Sequence, residues 1–191
     1  MRDREPEAGA TIRIHVVQGE QHVDSDPNAM LTTILGSCIS ACIWDAVRGI
    51  GGMNHFLLPG EENQTSDPGS GGSSARYGVH AMELLVNALL RRGARRESLQ
   101  AKLFGGGRMI RGLTDIGEMN ASFAERFVQA EGIPVVGGSL RGNQGRRIQF
   151  WPVSGRARQV LLRPDTLTVF QTEYQVSASK TPSQTGALEL F

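Results

Sequence analysis

A cysteine and a histidine set side by side can do covalent chemistry at an amide or ester carbon, and this sequence offers one such pairing. Cys38 follows the run TTILGS, and His55 lies in GGMNHFLLP, seventeen positions further on. A thiol nucleophile must lose its proton to a base, meet a carbonyl carbon, and have N–H groups facing the oxyanion that develops. A strand ending in a Gly-Ser bend supplies that setting. Gly36 lets the backbone come close, and the amides around Ser37 and Cys38 can point at one spot. One strand-to-strand return would bring His55 next to the thiol, to deprotonate it and later to protonate a leaving amine. A third group should orient the imidazole. Thr32, on the strand leading to the cysteine, is the candidate by chain direction, with Asp45 and Asn54 as competitors.

Blander readings stand beside this one. A cysteine in an apolar run is commonly a small core residue, and Cys42 fits that description. Cys38, Cys42, His55 and His80 together make a soft-ligand set for zinc, but the Cys-x3-Cys spacing and the long loop before His80 argue against it. The glycines at 105–107 lack the Lys-Ser/Thr of a phosphate-binding loop and read as a tight strand exit near the site. Arg91, Arg92, Arg95 and Arg96 cluster at a helix end, as a solvated face complementing the helix dipole or as a docking patch.

The elements that must position these residues follow from periodicity. Strict alternation predicts a strand over 11–16, and a β-branched apolar run predicts another over 30–35. The segment 38–44 reads as a buried strand or the first turns of a buried helix, because a short apolar run does not settle the period. Further strands are predicted at 49–58, 99–104, 133–136, 147–151 and 159–163. Helical spacing of Met82, Leu85, Val86 and Leu89 predicts a helix over 79–92 closed by Gly93, and a second is predicted over 115–131 closed by Gly132. The stretch 59–78, rich in Gly, Ser, Asp and Asn, reads as a surface loop. Mixed strands and helices in this order predict an α/β chain of the mixed α+β kind. The expectation is a single-domain layered sandwich with a mixed sheet core and two to three helices. A disordered leader over 1–10, a domain over 11–170 and a Ser/Thr-rich disordered tail over 171–191 complete the organisation.

Composition narrows the function classes. With 20 basic and 19 acidic side chains the chain carries a formal charge of +1, so no overall field recruits nucleic acid or an anionic membrane. Two cysteines are too few for a disulfide framework and the amino end is charged, which points to a reducing cytoplasm. The longest uncharged run, 27–44, contains Asn28, Thr32, Thr33, Ser37 and Ser40 and reads as protein interior rather than a membrane span.

Over most of its length the sequence resembles the CheD-type chemoreceptor glutamine deamidases. The resemblance rests on Thr32 with LGSC at 35–38, Cys42, Asp45, GGMNHFLLP at 51–59 and RYG at 76–78. It continues through KLFGGG at 102–107, Asn120, EGIPVVGG at 131–138 and GRRIQFWPVSG at 145–155. It implies a fold similar to the catalytic domains of the cytotoxic necrotizing factor toxins, with Cys38 as nucleophile, His55 as base and Thr32 as third member. The implied reaction converts glutamine side chains in the cytoplasmic helical bundle of methyl-accepting chemotaxis receptors to glutamate. It releases ammonia through a cysteine thioester and needs no cofactor and no metal. Methyl-ester hydrolysis is chemically adjacent, and a CheC-like phosphatase is a further candidate partner. A non-catalytic adaptor that docks on receptors or on such a phosphatase is the alternative. Arg141 stands where the family more often has glycine, and the tail beyond about residue 169 has no counterpart in it.

Overall fold

The computed structural model describes residues 10–58, 71–109 and 115–162, with side chains of the middle segment described from residue 76. The expected tail over 171–191, the leader apart from Ala10, and the first part of the predicted loop, 59–70, lie outside the described residues.

Among the described residues nine strands form two mixed sheets. The first contains β1 (Ile12–His15), β3 (Ala29–Leu35), β8 (Arg146–Trp151) and β9 (Arg156–Leu161), in that spatial order. β1 and β3 run parallel and the other neighbours antiparallel. The second contains β2 (Gln21–Asp24), β5 (Ile50–Asn54), β4 (Ile39–Asp45), β6 (Leu99–Gly105) and β7 (Val135–Leu140). Here only β6 and β7 run parallel. Two helices, α1 (Gly71–Arg91) and α2 (Ile116–Ala130), lie on the outer face of the second sheet, so the layers are helices, sheet, sheet. This is the mixed α+β layered sandwich expected from the order of elements, with the strands divided between two sheets.

Two cores hold the layers together. Between helices and second sheet lie Ile39, Ile43, Met82, Leu85, Leu89 and Phe127; between the sheets lie Leu31, Leu35, Cys42, Met53 and Phe150. β4 belongs to both: Ile39, Ala41 and Ile43 face the helices, while Cys42 and Trp44, with Cys38 just before the strand, face the other sheet. A strand covered on both faces is apolar throughout and carries no alternation, which is why its period was unreadable. The chain at 39–45 is a strand and not a helix.

Two further differences have local causes. β2 was not anticipated, because QHVD has a single apolar side chain, Val23, and a short edge strand with one buried residue leaves no pattern. α1 begins at Gly71 rather than 79, so the part of the predicted loop from 71 to 78 is helical. Gly78 explains how a glycine-containing turn is used there: a Cβ at this position would stand 2.6–2.7 Å from the side chains of Leu58 and Phe123. Close approach of α1 to its neighbours, not propensity, selects the residue. α2 matches its predicted span, with Asp115 as N-cap accepting from the Glu118 amide at 3.0 Å. Among the described residues no helix is long and apolar enough to cross a membrane.

Candidate active site

Gly36, Ser37 and Cys38 are the crossing from β3 in one sheet to β4 in the other. Gly36 and Ser37 form a bend, so the crossing turns the chain as it passes from one sheet to the other. Its carbonyls are all engaged. The Gly36 oxygen accepts from the Gly107 amide at 2.8 Å, the Cys38 oxygen from the Gly106 amide at 2.8 Å, and the Ser37 oxygen from Asn120 Nδ2 at 3.2 Å. The glycine run at 105–107 passes directly behind the crossing: a Cβ on Gly105, whose φ is +111°, would stand 2.0 Å from the Cys38 carbonyl oxygen. Backbone packing against Cys38 therefore accounts for these glycines, as a strand exit beside the site.

Asn120 was marked in the sequence only by resemblance, and the structure gives it a physical role. Fully buried on α2, it donates to the Ser37 and Ile116 carbonyls and accepts from the Leu58 amide at 2.8 Å. One carboxamide thus ties the Cys38 crossing to the segment that follows His55.

The register places His55 relative to Cys38. Ile39 and Phe56 exchange two backbone hydrogen bonds of 2.9 Å, and Cys42 pairs with Met53, so Ser40 is opposite His55 and Cys38 lies one same-face step along. Diagonal same-face neighbours of an antiparallel pair have backbones about 7–8 Å apart, within reach of long side chains. The His55 backbone is clamped by the turn after β1: its amide donates to the Glu20 carbonyl at 3.0 Å and its carbonyl accepts from Gly19 at 2.8 Å.

The imidazole is 2% exposed and meets Thr33, not Thr32. Thr33 Oγ1 lies 2.9 Å from His55 Nδ1 and donates to the Val16 carbonyl at 2.7 Å. Because the one hydroxyl proton is committed to a carbonyl, the threonine oxygen acts as acceptor toward the ring, which puts the ring proton on Nδ1. Nε2 then carries the lone pair, and it has no hydrogen-bond partner among the described residues. Burial pushes the His55 pKa down to about 4, against an opposing pull from the Val16 carbonyl, with His15 adding a small downward push. At neutral pH the ring is a neutral base.

Thr32 points the other way. Its hydroxyl donates to the Ile148 carbonyl at 2.7 Å, in keeping with the alternation that sends successive strand residues to opposite faces. Thr32, expected as the orienting residue, is thus turned away from the ring, and the hydroxyl beside Nδ1 is that of Thr33. Neither competitor meets the ring. The Asp45 carboxylate, at the far end of β4, accepts from the amides of Val47, Arg48 and Arg95. Asn54 bridges the Ala41 amide and the Ala81 carbonyl, toward α1.

The two cysteines have different surroundings. Cys42 is fully buried between the sheets, and burial pushes its thiol up to about 12. Cys38 retains 8% exposure, and its thiol donates to Gln18 Oε1 at 3.4 Å. Gln18, half-buried in the turn that clamps His55, carried no sequence signal, since only the fold brings it to the sulfur. Among the described residues no group of three or more His, Cys, Asp and Glu side chains could hold a metal ion, and His80 is exposed on α1.

Arg141 also has its explanation here. Its φ of +69° lies in the left-handed region that favours glycine, and it is the single non-glycine there among the described residues. Its guanidinium pairs with Glu118 at 2.7 Å and Glu125 at 2.9 Å, both on α2, an ion-pair cluster that glycine could not make.

The family described as CheD chemotactic sensory transduction matches residues 57–161. A protein of Acidiphilium cryptum named probable chemoreceptor glutamine deamidase CheD is 59% identical over 179 residues, covering 94% of this chain and 93% of its own. Proteins of the same name from Rhizobium leguminosarum and a Caulobacter species are 54% and 50% identical, over 96% and 97% of this chain and 98% and 96% of theirs. Among solved structures, a Neisseria meningitidis protein of family DUF152 superposes with a TM-score of 0.41 at 10% identity, over 64% of this chain and 53% of that one. On the family match and on identities of this size over nearly the whole length of both chains, the chain belongs to the CheD family.

Proposed function

We propose that this chain is a protein-glutamine deamidase acting on chemoreceptors, with Cys38 as nucleophile, His55 as base and acid, and Thr33 as the residue that orients His55. The observation that carries it is the neutral imidazole, fixed through Nδ1 by Thr33, with an unpartnered Nε2 on the face it shares with Cys38. The relatives named probable chemoreceptor glutamine deamidase supply the substrate class.

The chemistry follows from the groups. Cys38 Sγ attacks the glutamine Cδ as its proton passes to His55 Nε2, and the carbonyl electron pair moves onto oxygen. The oxyanion is held by backbone N–H groups at the Gly36–Ser37 bend beside the sulfur. As the tetrahedral centre collapses the carbon–nitrogen bond breaks, the imidazolium protonates the nitrogen, and ammonia leaves a glutamyl thioester. Water then gives a proton to Nε2 and attacks the thioester; the carbon–sulfur bond breaks, the sulfur regains a proton, and glutamate is released. Each turnover adds one negative charge to a receptor helix and so alters its repulsion from neighbouring helices.

Ammonia release from purified receptor cytoplasmic fragments tests this reading, together with the mass gain of about one dalton at single glutamines that hydrolysis of an amide to an acid requires. Wild type should produce both and Cys38→Ala neither; equal rates for the two would remove the nucleophile.

A further inference from the structure

The deamidation chemistry above gives no role to a side chain that the structure puts in contact with the Cys38 sulfur. The Cys38 thiol donates to Gln18 Oε1 at 3.4 Å, and the turn bearing Gln18 is fixed from both sides. The Gly19 amide is bonded to the His55 carbonyl, the Glu20 carbonyl to the His55 amide, and the Glu20 amide to the Val17 carbonyl. The Val16 carbonyl also receives the Thr33 hydroxyl that holds the imidazole. One five-residue turn thus sets the base and delivers a carboxamide to the nucleophile.

We propose that Gln18 is a catalytic residue of this site, whose side-chain amide binds the scissile carboxamide and donates to its oxygen as the tetrahedral intermediate forms. The inference rests on the deamidase reading and adds a substrate-contacting group to it. For attack, the substrate carbon must come within about 3–3.5 Å of Sγ. The atoms bonded to that carbon then lie within hydrogen-bond reach of a group that already touches the same sulfur. The chemistry of the contact also selects an amide. In the resting state the thiol is a donor and needs an acceptor, which Oε1 supplies. Once the proton has passed to His55 the sulfur and the carbonyl oxygen are both electron-rich and need donors. A carboxamide carries both on one planar group with a soft terminal torsion, so rotation about the last bond presents the NH₂ edge in place of the oxygen. Neither a carboxylate nor an aliphatic side chain of the same size can follow that change.

Gln18→Leu and Gln18→Glu keep the size of the side chain while removing its N–H donors, and Gln18→Glu keeps the acceptor oxygens. Steady-state ammonia release from receptor cytoplasmic fragments would be measured for both, with Cys38→Ala and wild type alongside. Melting temperatures and the alkylation of Cys38 by iodoacetamide report on the integrity of the site. The expected result is a fall in kcat of about a hundredfold for each Gln18 variant, the usual effect of losing one oxyanion donor. KM should change by less than kcat, and melting temperature and access of iodoacetamide should be retained. Wild-type kcat in Gln18→Leu, or in Gln18→Glu, overturns the role of Gln18 while leaving the deamidase reading intact. Ammonia release undiminished in Cys38→Ala, or absent from wild type, overturns both. A loss of kcat matched by a loss of melting temperature and of the Cys38 alkylation pattern assigns Gln18 to the architecture of the turn and overturns the catalytic role.

Discussion

At the scale of single residues, the two adjacent threonines of β3 make opposite claims on the chemistry. Thr33 faces the inter-sheet space and fixes the tautomer of His55; Thr32 faces away and satisfies the Ile148 carbonyl. Thr33→Val, nearly isosteric, removes the partner of Nδ1 and frees the ring to take the wrong tautomer. Ammonia release from receptor fragments should fall by about 10- to 100-fold, the effect that losing an orienting partner has on metal-bound histidines. Thr32→Val should leave kcat within about twofold and lower stability by about 1 kcal/mol, as expected for a buried carbonyl left without its donor. The reverse order of effects in the same assay would restore Thr32 to the site. Spacing alone led to Cys38 and His55, because a Gly-Ser bend and a one-strand return are local features. It did not separate Thr32 from Thr33, because which face of β3 looks inward depends on the sheet that covers it.

At the scale of elements, the site is made where β3 leaves one sheet and β4 enters the other, and its precision comes from what packs behind that crossing. β6 ends in the glycine run whose amides hold the Gly36 and Cys38 carbonyls, and α2 supplies Asn120 for the Ser37 carbonyl. Gly105→Ala tests this support. The new Cβ would meet the Cys38 carbonyl oxygen at 2.0 Å in a backbone conformation, φ +111°, that side chains rarely adopt. The variant should lose more than about 2 kcal/mol in urea unfolding, since backbone incompatibility and a steric clash act together. In whatever fraction remains folded, deamidation should fall as well, since the crossing must shift. An unchanged unfolding midpoint would show that the glycine run does not brace the crossing. The glycines at 51 and 52, which the sequence placed near the base, serve the layers instead. A Cβ on Gly51 would strike the Pro152 carbonyl oxygen at 2.3 Å, and one on Gly52 would strike Val23, the His22 carbonyl oxygen and Leu85 at 2.7–2.8 Å.

At the scale of the whole molecule, the three-layer packing that buries His55 couples its protonation to stability. In the unfolded chain the imidazole titrates near its usual 6.5; in the folded chain burial holds it at about 4. Above pH 6.5 both states are neutral and the folded state keeps its full stability. As pH falls from 6.5 toward 4 the unfolded chain takes up the proton first, and stability is lost by up to about 3 kcal/mol. Chemical denaturation at a series of pH values should show this loss in wild type, and His55→Asn should remove that part of the dependence. Parallel curves for the two would mean that the ring is not buried neutral. The same depression keeps the folded ring unprotonated, and so able to accept a proton, down to about pH 4.

In the bare chain it is legible that Cys38 lies just past a bend, that a histidine returns one strand later, that two amphipathic helices form, and that strands and helices come in a mixed order suited to layers. These are properties of local periodicity, turn chemistry and spacing. It takes the assembled fold to show that β4 is a strand buried on both faces, that Thr33 and not Thr32 meets the imidazole, and that Asn120 and the glycine run brace the crossing at Cys38. The arrival of Gln18 at its sulfur belongs to the same class. Each of these depends on which face of an element is covered, and by which distant segment, and no short window of sequence contains that information.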